Sequence, residues 1–302
     1  MHMDLYNAYS SYLKKRFGTT VLKVPLNGGF SCPNRDGSRG RGGCAFCDNR
    51  AFSPVTGSAE SPLDQLTSVI ARTSSAEKAF IAYLQPYSNS YGSLEHLAGV
   101  YEPLLQIPRV IGLSIGTRPD CLPDPVYDYL ADLSRRTYLT VELGLQTSHD
   151  STLALMNRGH TFAEFAEAAV RCAARGIESV AHVVLGLPGE SKEMMYATAS
   201  ALASLPVHGV KIHQLMIIRG TPIAEWHKQG RSPVLDIGEY APILCGFIER
   251  LRPDQHIHRI MADSCRERGL VAPDWSARKS KSISLLRKHM EESKMIQGGF
   301  FR

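Results

Sequence analysis

The chain has 302 residues, 43% of them hydrophobic and 21% charged, which is enough for one large domain with a sizeable core. No apolar run approaches the roughly 18 residues a membrane helix needs, and seven unevenly spread cysteines, an odd number, argue against a disulfide framework. Residues 1–50 carry eight Lys/Arg against three Asp/Glu and residues 250–302 carry twelve against six, so two basic ends flank a middle of net charge −6. Such ends suit a polyanionic or phosphate-bearing partner, and a merely solvated surface would have the same composition.

The opening "MHMDLYNAYSSYLKKRF" lacks the charged-then-apolar order of a secretory signal, so a cytoplasmic protein is expected. The first strand expected is "TTVLKVPL" (19–26). A helix follows at "SPLDQLTSVIARTSS" (61–75), opened by Ser-Pro. Short, apolar, often β-branched runs then recur at "AFIAYLQ" (79–85), "VIGLSIG" (110–116), "YLTVELGLQ" (138–146), "SVAHVVLGL" (179–187) and "GVKIHQLMI" (209–217). "TFAEFAEAAVRCAARG" (161–176) has helical spacing and stops on glycine. Six strand–helix repeats imply parallel strands, either in an open doubly wound sheet or in a full or partial (β/α) barrel. Both architectures gather a site at the C-terminal strand ends. Those ends read "QPYSNSY", "TRPDC", "QTSHD" and "PGES".

From about Leu235 the alternation fades. A helix at 236–251, a strand at 256–262 and a basic helix at 279–293 are expected as a small α+β extension, residues 235–302, packed on a core of residues 1–234.

Between the first strand and first helix lies "CPNRDGSRGRGGCAFC", from Cys32 to Cys47. Two residues separate Cys44 from Cys47, a spacing that serves a redox pair, half a zinc site or half an iron–sulfur site. A redox pair leaves Cys32 unexplained, and zinc wants a fourth ligand. Three thiolates on a four-iron cluster leave one iron open to a chelating cofactor.

This loop, with Phe46 before its last cysteine, resembles the cluster site of the radical S-adenosylmethionine (SAM) superfamily. There Cys32, Cys44 and Cys47 would hold a [4Fe–4S] cluster. Eleven residues separate the first two cysteines where three are common, and this departure matches a branch that includes the elongator catalytic subunit and YhcC/YtqA-like proteins. "ELGLQTSHDSTLALMNRGHTFAEFAEAAVRCAARGI" (142–177) resembles a block shared with oxygen-independent coproporphyrinogen oxidases, and it implies SAM contacts for Gln146 and Arg158. "HVVLGLPGES" (182–191) resembles the fifth-strand motif, in which Gly186 and Pro188 permit close backbone approach to the adenine side of SAM. His182 stands where an acid is common, as a ribose contact or a satisfied core residue. "QPYSNSY" replaces the Gly-Gly-Glu motif for the SAM amino group and leaves Ser88 and Asn89 as the polar groups. Arg118 and Asp120 form a pair that is structural or faces substrate.

The likeness to the YhcC/YtqA-like branch runs through nearly the whole chain. It implies a partial (β/α)6 TIM-like barrel of the radical SAM type. It also implies reductive cleavage of SAM at the cluster to a 5′-deoxyadenosyl radical, with a flavodoxin- or ferredoxin-type reductant and no membrane. The substrate expected is the wobble uridine of tRNA. The alternatives are a small-molecule substrate, as in porphyrin-type oxidation, and a non-catalytic iron–sulfur sensor. Lys14, Lys15, Arg16, Arg278, Lys279, Lys281, Arg287 and Lys288 are the expected phosphate contacts, Trp275 and Tyr87 the aromatics for base stacking, and removal of residues 270–302 is expected to abolish tRNA binding.

Overall fold

The structure is a computed structural model that describes residues 5–53, 55–74 and 77–301. Helix α1 (Tyr9–Phe17) ends at Gly18, whose φ of 70° supplies a left-handed cap. Strand β1 (Val21–Leu26) follows, then the cysteine loop and a single turn, α2 (Asn49–Phe52). α3 (Pro62–Arg72) starts as its sequence signals: Ser61 accepts the backbone N–H of Asp64, and proline takes the first helical position. β2 (Ala79–Leu84), α4 (Leu94–Leu105), β3 (Val110–Thr117), α5 (Asp124–Arg136) and β4 (Tyr138–Gln146) then alternate. After a short α6 (Asp150–Leu155), α7 (Phe162–Ala174) opens on a capping box between Thr161 and Glu164. β5 (Glu178–Leu185), α8 (Lys192–Ala203) and β6 (Gly209–Gln214) complete the six strands expected from sequence.

The run expected as one strand over 209–217 breaks at Gln214. Its buried amide donates to the Ala262 carbonyl at 2.8 Å and accepts the Ala262 N–H at 2.9 Å, which fastens β6 to the later chain. Ile217–Ile218 forms β7 instead. α9 (Pro222–Lys228) and α10 (Ile237–Ile248) follow. β8 (His256–Arg259) then pairs parallel with β6 as a seventh strand of the main sheet. β9 (Leu270–Ala272) pairs antiparallel with β7, and α11 (Lys279–Glu292) comes last.

The seven strands lie side by side in chain order, all parallel, and the sheet curls into a half barrel of the type expected. β1 is an edge strand, a place that tolerates Pro25 and its missing ladder donor. Helices cover the outer face. The segment after Leu235 shares the same core: Phe247 and Leu286 are fully buried with Leu143 and Ile212. α1 packs against both β1 and β8, the two edges of the open sheet.

Candidate functional site

The long gap between the first two cysteines folds back on itself. Arg39 and Gly40 donate their N–H groups to the Pro33 carbonyl at 2.9 and 3.1 Å, and Asp36 bridges Arg41. Gly42 and Gly43 turn the chain with φ of 80° and 78°, which glycine adopts without a Cβ penalty. Asn34 and Asn157 staple this hairpin to the chain after α6: the Asn34 amide donates to the Asn157 carbonyl at 2.5 Å and the Asn157 amide to the Gly43 carbonyl at 2.8 Å. Ala45 adds a backbone bond to Met156 at 3.0 Å. A flexible-looking insertion is thus fixed to the C-terminal end of the sheet.

Cys32, Cys44 and Cys47 line one cleft at those strand ends. Burial pushes the Cys47 thiol up to about 12, and Cys44 and Cys32 nearby raise it while Arg35 and Arg158 oppose them. Among the described residues, no three Cys, His, Asp or Glu side chains converge on a point for a single metal ion. A four-iron cluster asks for a wider set, with each sulfur on its own iron. The donors fit such a guest. The Cys44 sulfur accepts from Arg158 Nη1 at 3.0 Å and from Asn34 Nδ2 at 3.6 Å, contacts that steady a thiolate. Arg158 Nε and His213 Nε2 are buried along the cleft without a partner among the described residues, so polar valence is left for a ligand.

Phe46, Ser88, Gln146, Arg158 and His182 line this cleft with the cysteines. Gln146 has φ of 82°, a rare conformation for a non-glycine residue at the end of a strand. A Cβ on Gly144 would stand 2.9 Å from Arg158 Nη2 and 3.1 Å from Gln146 Nε2, so glycine there lets both side chains close over the strand. Arg158 also donates to the Gly144 carbonyl at 2.7 Å. Arg118 makes a two-pronged pair with Asp120 at 2.9 and 2.7 Å and also holds the carbonyls of Arg158 and Gly159. It therefore positions Arg158. Arg35 lines the cleft, whereas Arg39 is tied to Asp120 at 3.1 Å.

Asn89, Gly186 and Pro188 lie outside the cleft lining. The Asn89 amide donates to the carbonyls of Leu84, Pro86 and Gly116, which clamps the ends of β2 and β3. Gly186 has φ of 85°, and an added Cβ would meet Leu235 at 3.0 Å. Tyr87 lines the cleft, while Trp275 donates to the Leu235 carbonyl and packs on Tyr240 with ring centres 5.1 Å apart.

Below this rim the barrel interior is polar, through His182 and through Glu142, Lys23 and Lys211, which the sequence reading did not single out. Glu142, 1% exposed, accepts from Lys23, from Ser114 at 3.1 Å, from Lys211 at 3.0 Å and from His182. Burial opposes ionisation, yet Lys211 and Lys23, with the hydrogen bond from His182, hold its carboxyl well below the ordinary range. Lys211 also donates to the Tyr83 hydroxyl at 2.9 Å, and burial lowers it to about 7. The signal was present as Lys211 and His213 two residues apart on β6, and Glu142 amid apolar neighbours on β4.

Two histidines give the protein an acid limit. Burial pushes His160 down to about 3, helped by Arg158, and His182 down to about 4. The unfolded chain takes up protons near 6.5 that the folded chain refuses. Their contribution to stability is therefore whole above about pH 6.5 and falls on acidification toward pH 4. Urea unfolding at pH 7.5 and pH 5 checks this, and His160→Gln should flatten the slope between them.

The chain matches the Radical SAM superfamily over residues 35–202 and the radical SAM C-terminal domain over residues 207–292. It is 39% identical to YtqA of Bacillus subtilis over 300 residues, covering 98% of this chain and 93% of that protein. Over 175 residues it is 29% identical to the tRNA uridine(34) acetyltransferase of Dehalococcoides mccartyi, covering 57% of this chain and 37% of that one. In fold it resembles the archaeal Elp3 of Methanocaldococcus infernus, with a TM-score of 0.65 at 17% identity over 92% of this chain and 64% of that one. With three cysteines at one cleft of a parallel half barrel and a match over most of its length, the chain belongs to the radical SAM superfamily, whose cofactors are a [4Fe–4S] cluster and SAM.

Proposed function

We propose that the chain is a cytoplasmic enzyme that modifies the wobble uridine of tRNA. One observation carries the reading: the ion pair of Asp263 with Lys279 at 3.0 Å fastens the start of basic α11 to a residue of the cleft wall, so a positive surface adjoins the cysteine site. The similarity to a tRNA uridine(34) acetyltransferase supports the same substrate class. When bound, the cluster and SAM supply reductive S–C bond cleavage and hydrogen abstraction, with an electron from a flavodoxin- or ferredoxin-type protein. Cys32, Cys44 and Cys47 hold the cluster. Arg158 and Gln146 hold the amino-acid end of SAM, with Arg118 keeping Arg158 in place. Phe46 and Val184 shield the site from water, and Tyr87 offers its ring to a splayed base.

Mass spectrometry of tRNA nucleosides from a deletion strain tests the proposal. A missing or truncated wobble-uridine modification is expected, and an unaltered profile would return the substrate to the small molecules. Removal of residues 270–302 is too blunt a test of RNA contact, because Leu286 and Met290 belong to the main core. Lys281, Arg287 and Lys288 are exposed on α11, and changing all three to glutamine leaves the core intact. That variant should bind tRNA more weakly and lower the slope of log affinity against log salt by about 0.7–0.9 per residue changed. Filter binding across a salt series measures it.

A further inference from the structure

The interior of the cleft holds more positive charge than the protein neutralises. Lys23, Lys211 and Arg259 line or border it, with Glu142 as the carboxylate between them. Asp263, also on the wall, is engaged by Lys279 at 3.0 Å. The two oxygens of Glu142 already accept four donors, about as many as a carboxylate takes. Arg259 makes no hydrogen bond or ion pair among the described residues. It stands opposite Lys211 in the β6–β8 register, and His213 lies two residues along β6 on the same face, with a buried Nε2 that has no partner. Buried or half-buried charges are ordinarily paired, and a guanidinium with five free donors in a concave wall is made for an anion.

We propose that Arg259, His213 and the remaining donor of Lys211 form a subsite for an anionic group of the substrate, a carboxylate or a phosphate. The inference rests on the proposal that this cleft receives the reacting group. It adds that the group enters with a negative charge and is oriented by β6 and β8, at the far end of the sheet from the cysteine loop that follows β1.

The test uses the cluster-loaded protein with saturating SAM. Calorimetric titration with sodium acetate and with inorganic phosphate, each against sodium chloride at matched ionic strength, should show saturable binding. Tighter acetate binding assigns a carboxylate substituent on the reacting group, and tighter phosphate binding assigns a nucleotide phosphate. Arg259→Gln should raise the half-saturating concentration about tenfold or more, the worth of a charge-assisted contact. His213→Gln should raise it in the same direction. Arg266→Gln, at an exposed residue paired with Asp274, should leave it within about twofold. Because Arg259 holds no protein partner, Arg259→Gln without ligand should melt no lower than the parent, and a clear drop would mark a structural arginine and overturn the subsite. Absence of saturable binding, equal binding in Arg259→Gln, or displacement of the anion by SAM would overturn it as well. Failure of the tRNA reading shows elsewhere, as an unaltered nucleoside profile with anion binding intact.

Discussion

Cys44→Ser yields a folded protein that takes up no cluster and cleaves no SAM. Cys44 is the buried member of the three, and its sulfur is gripped by Arg158 at 3.0 Å and by Asn34 at 3.6 Å. Serine keeps the size of the side chain and the two donors, so the hairpin and the Asn34–Asn157 staple survive. Its hydroxyl is a poor ligand for iron that prefers thiolate. Iron and acid-labile sulfide after anaerobic reconstitution should fall to background, and 5′-deoxyadenosine should be undetectable with dithionite and SAM. Cys121→Ser is the comparison. Cys121 lies outside the lining of the main cleft and its thiol is pushed up to about 12 by burial, so that variant should retain iron. Equal loss of iron in both variants would remove Cys44 from its assigned role.

Glu142→Gln destabilises the fold by about 3–5 kcal/mol, the usual consequence of stripping one partner from a buried ionic group. The carboxylate sits between Lys23 from β1, Lys211 from β6 and His182 from β5, so it joins strands across the whole half barrel. An amide leaves two ammonium groups facing each other in a site with little water. Adding Lys211→Met should recover part of the loss, because it removes one of the stranded charges. Urea unfolding of the two single variants and the double variant measures the coupling. A loss under about 1 kcal/mol for Glu142→Gln would show that water reaches the network and screens it.

The strands were legible because each is a short apolar run between turn residues, and Tyr138–Gln146 begins and ends where the sequence puts it. β8 was legible as a strand and not as a member of the main sheet. Its pairing with β6 crosses a long stretch of chain, and no local pattern in "HIHRIMA" names a partner. At the site, spacing exposed the three cysteines, and the block around Gln146 and Arg158 brought those two side chains to the same cleft. Direction was less legible than place. "QPYSNSY" lies at a strand end as expected, yet the Asn89 amide turns to three backbone carbonyls. The interior charges were the hardest to see, since Glu142 and Lys211 stand singly in apolar strands and acquire meaning only when β4 and β6 curl toward one another.

α1 has a consequence in time. Its aromatic face is covered by strand residues made much later: Tyr9 stacks on His258 with centroids 3.6 Å apart, and Tyr12 stacks on His256 at 3.9 Å. During synthesis at about 5–20 residues per second, the helix waits roughly 10 to 50 s for that cover. Through this interval the nascent barrel is a sheet with an unfastened end, and a ribosome-bound chain stopped short of β8 presents Tyr9 and Tyr12 to whatever chaperone or neighbour is near. A helix made early thus waits for a strand made late before its aromatic face is covered.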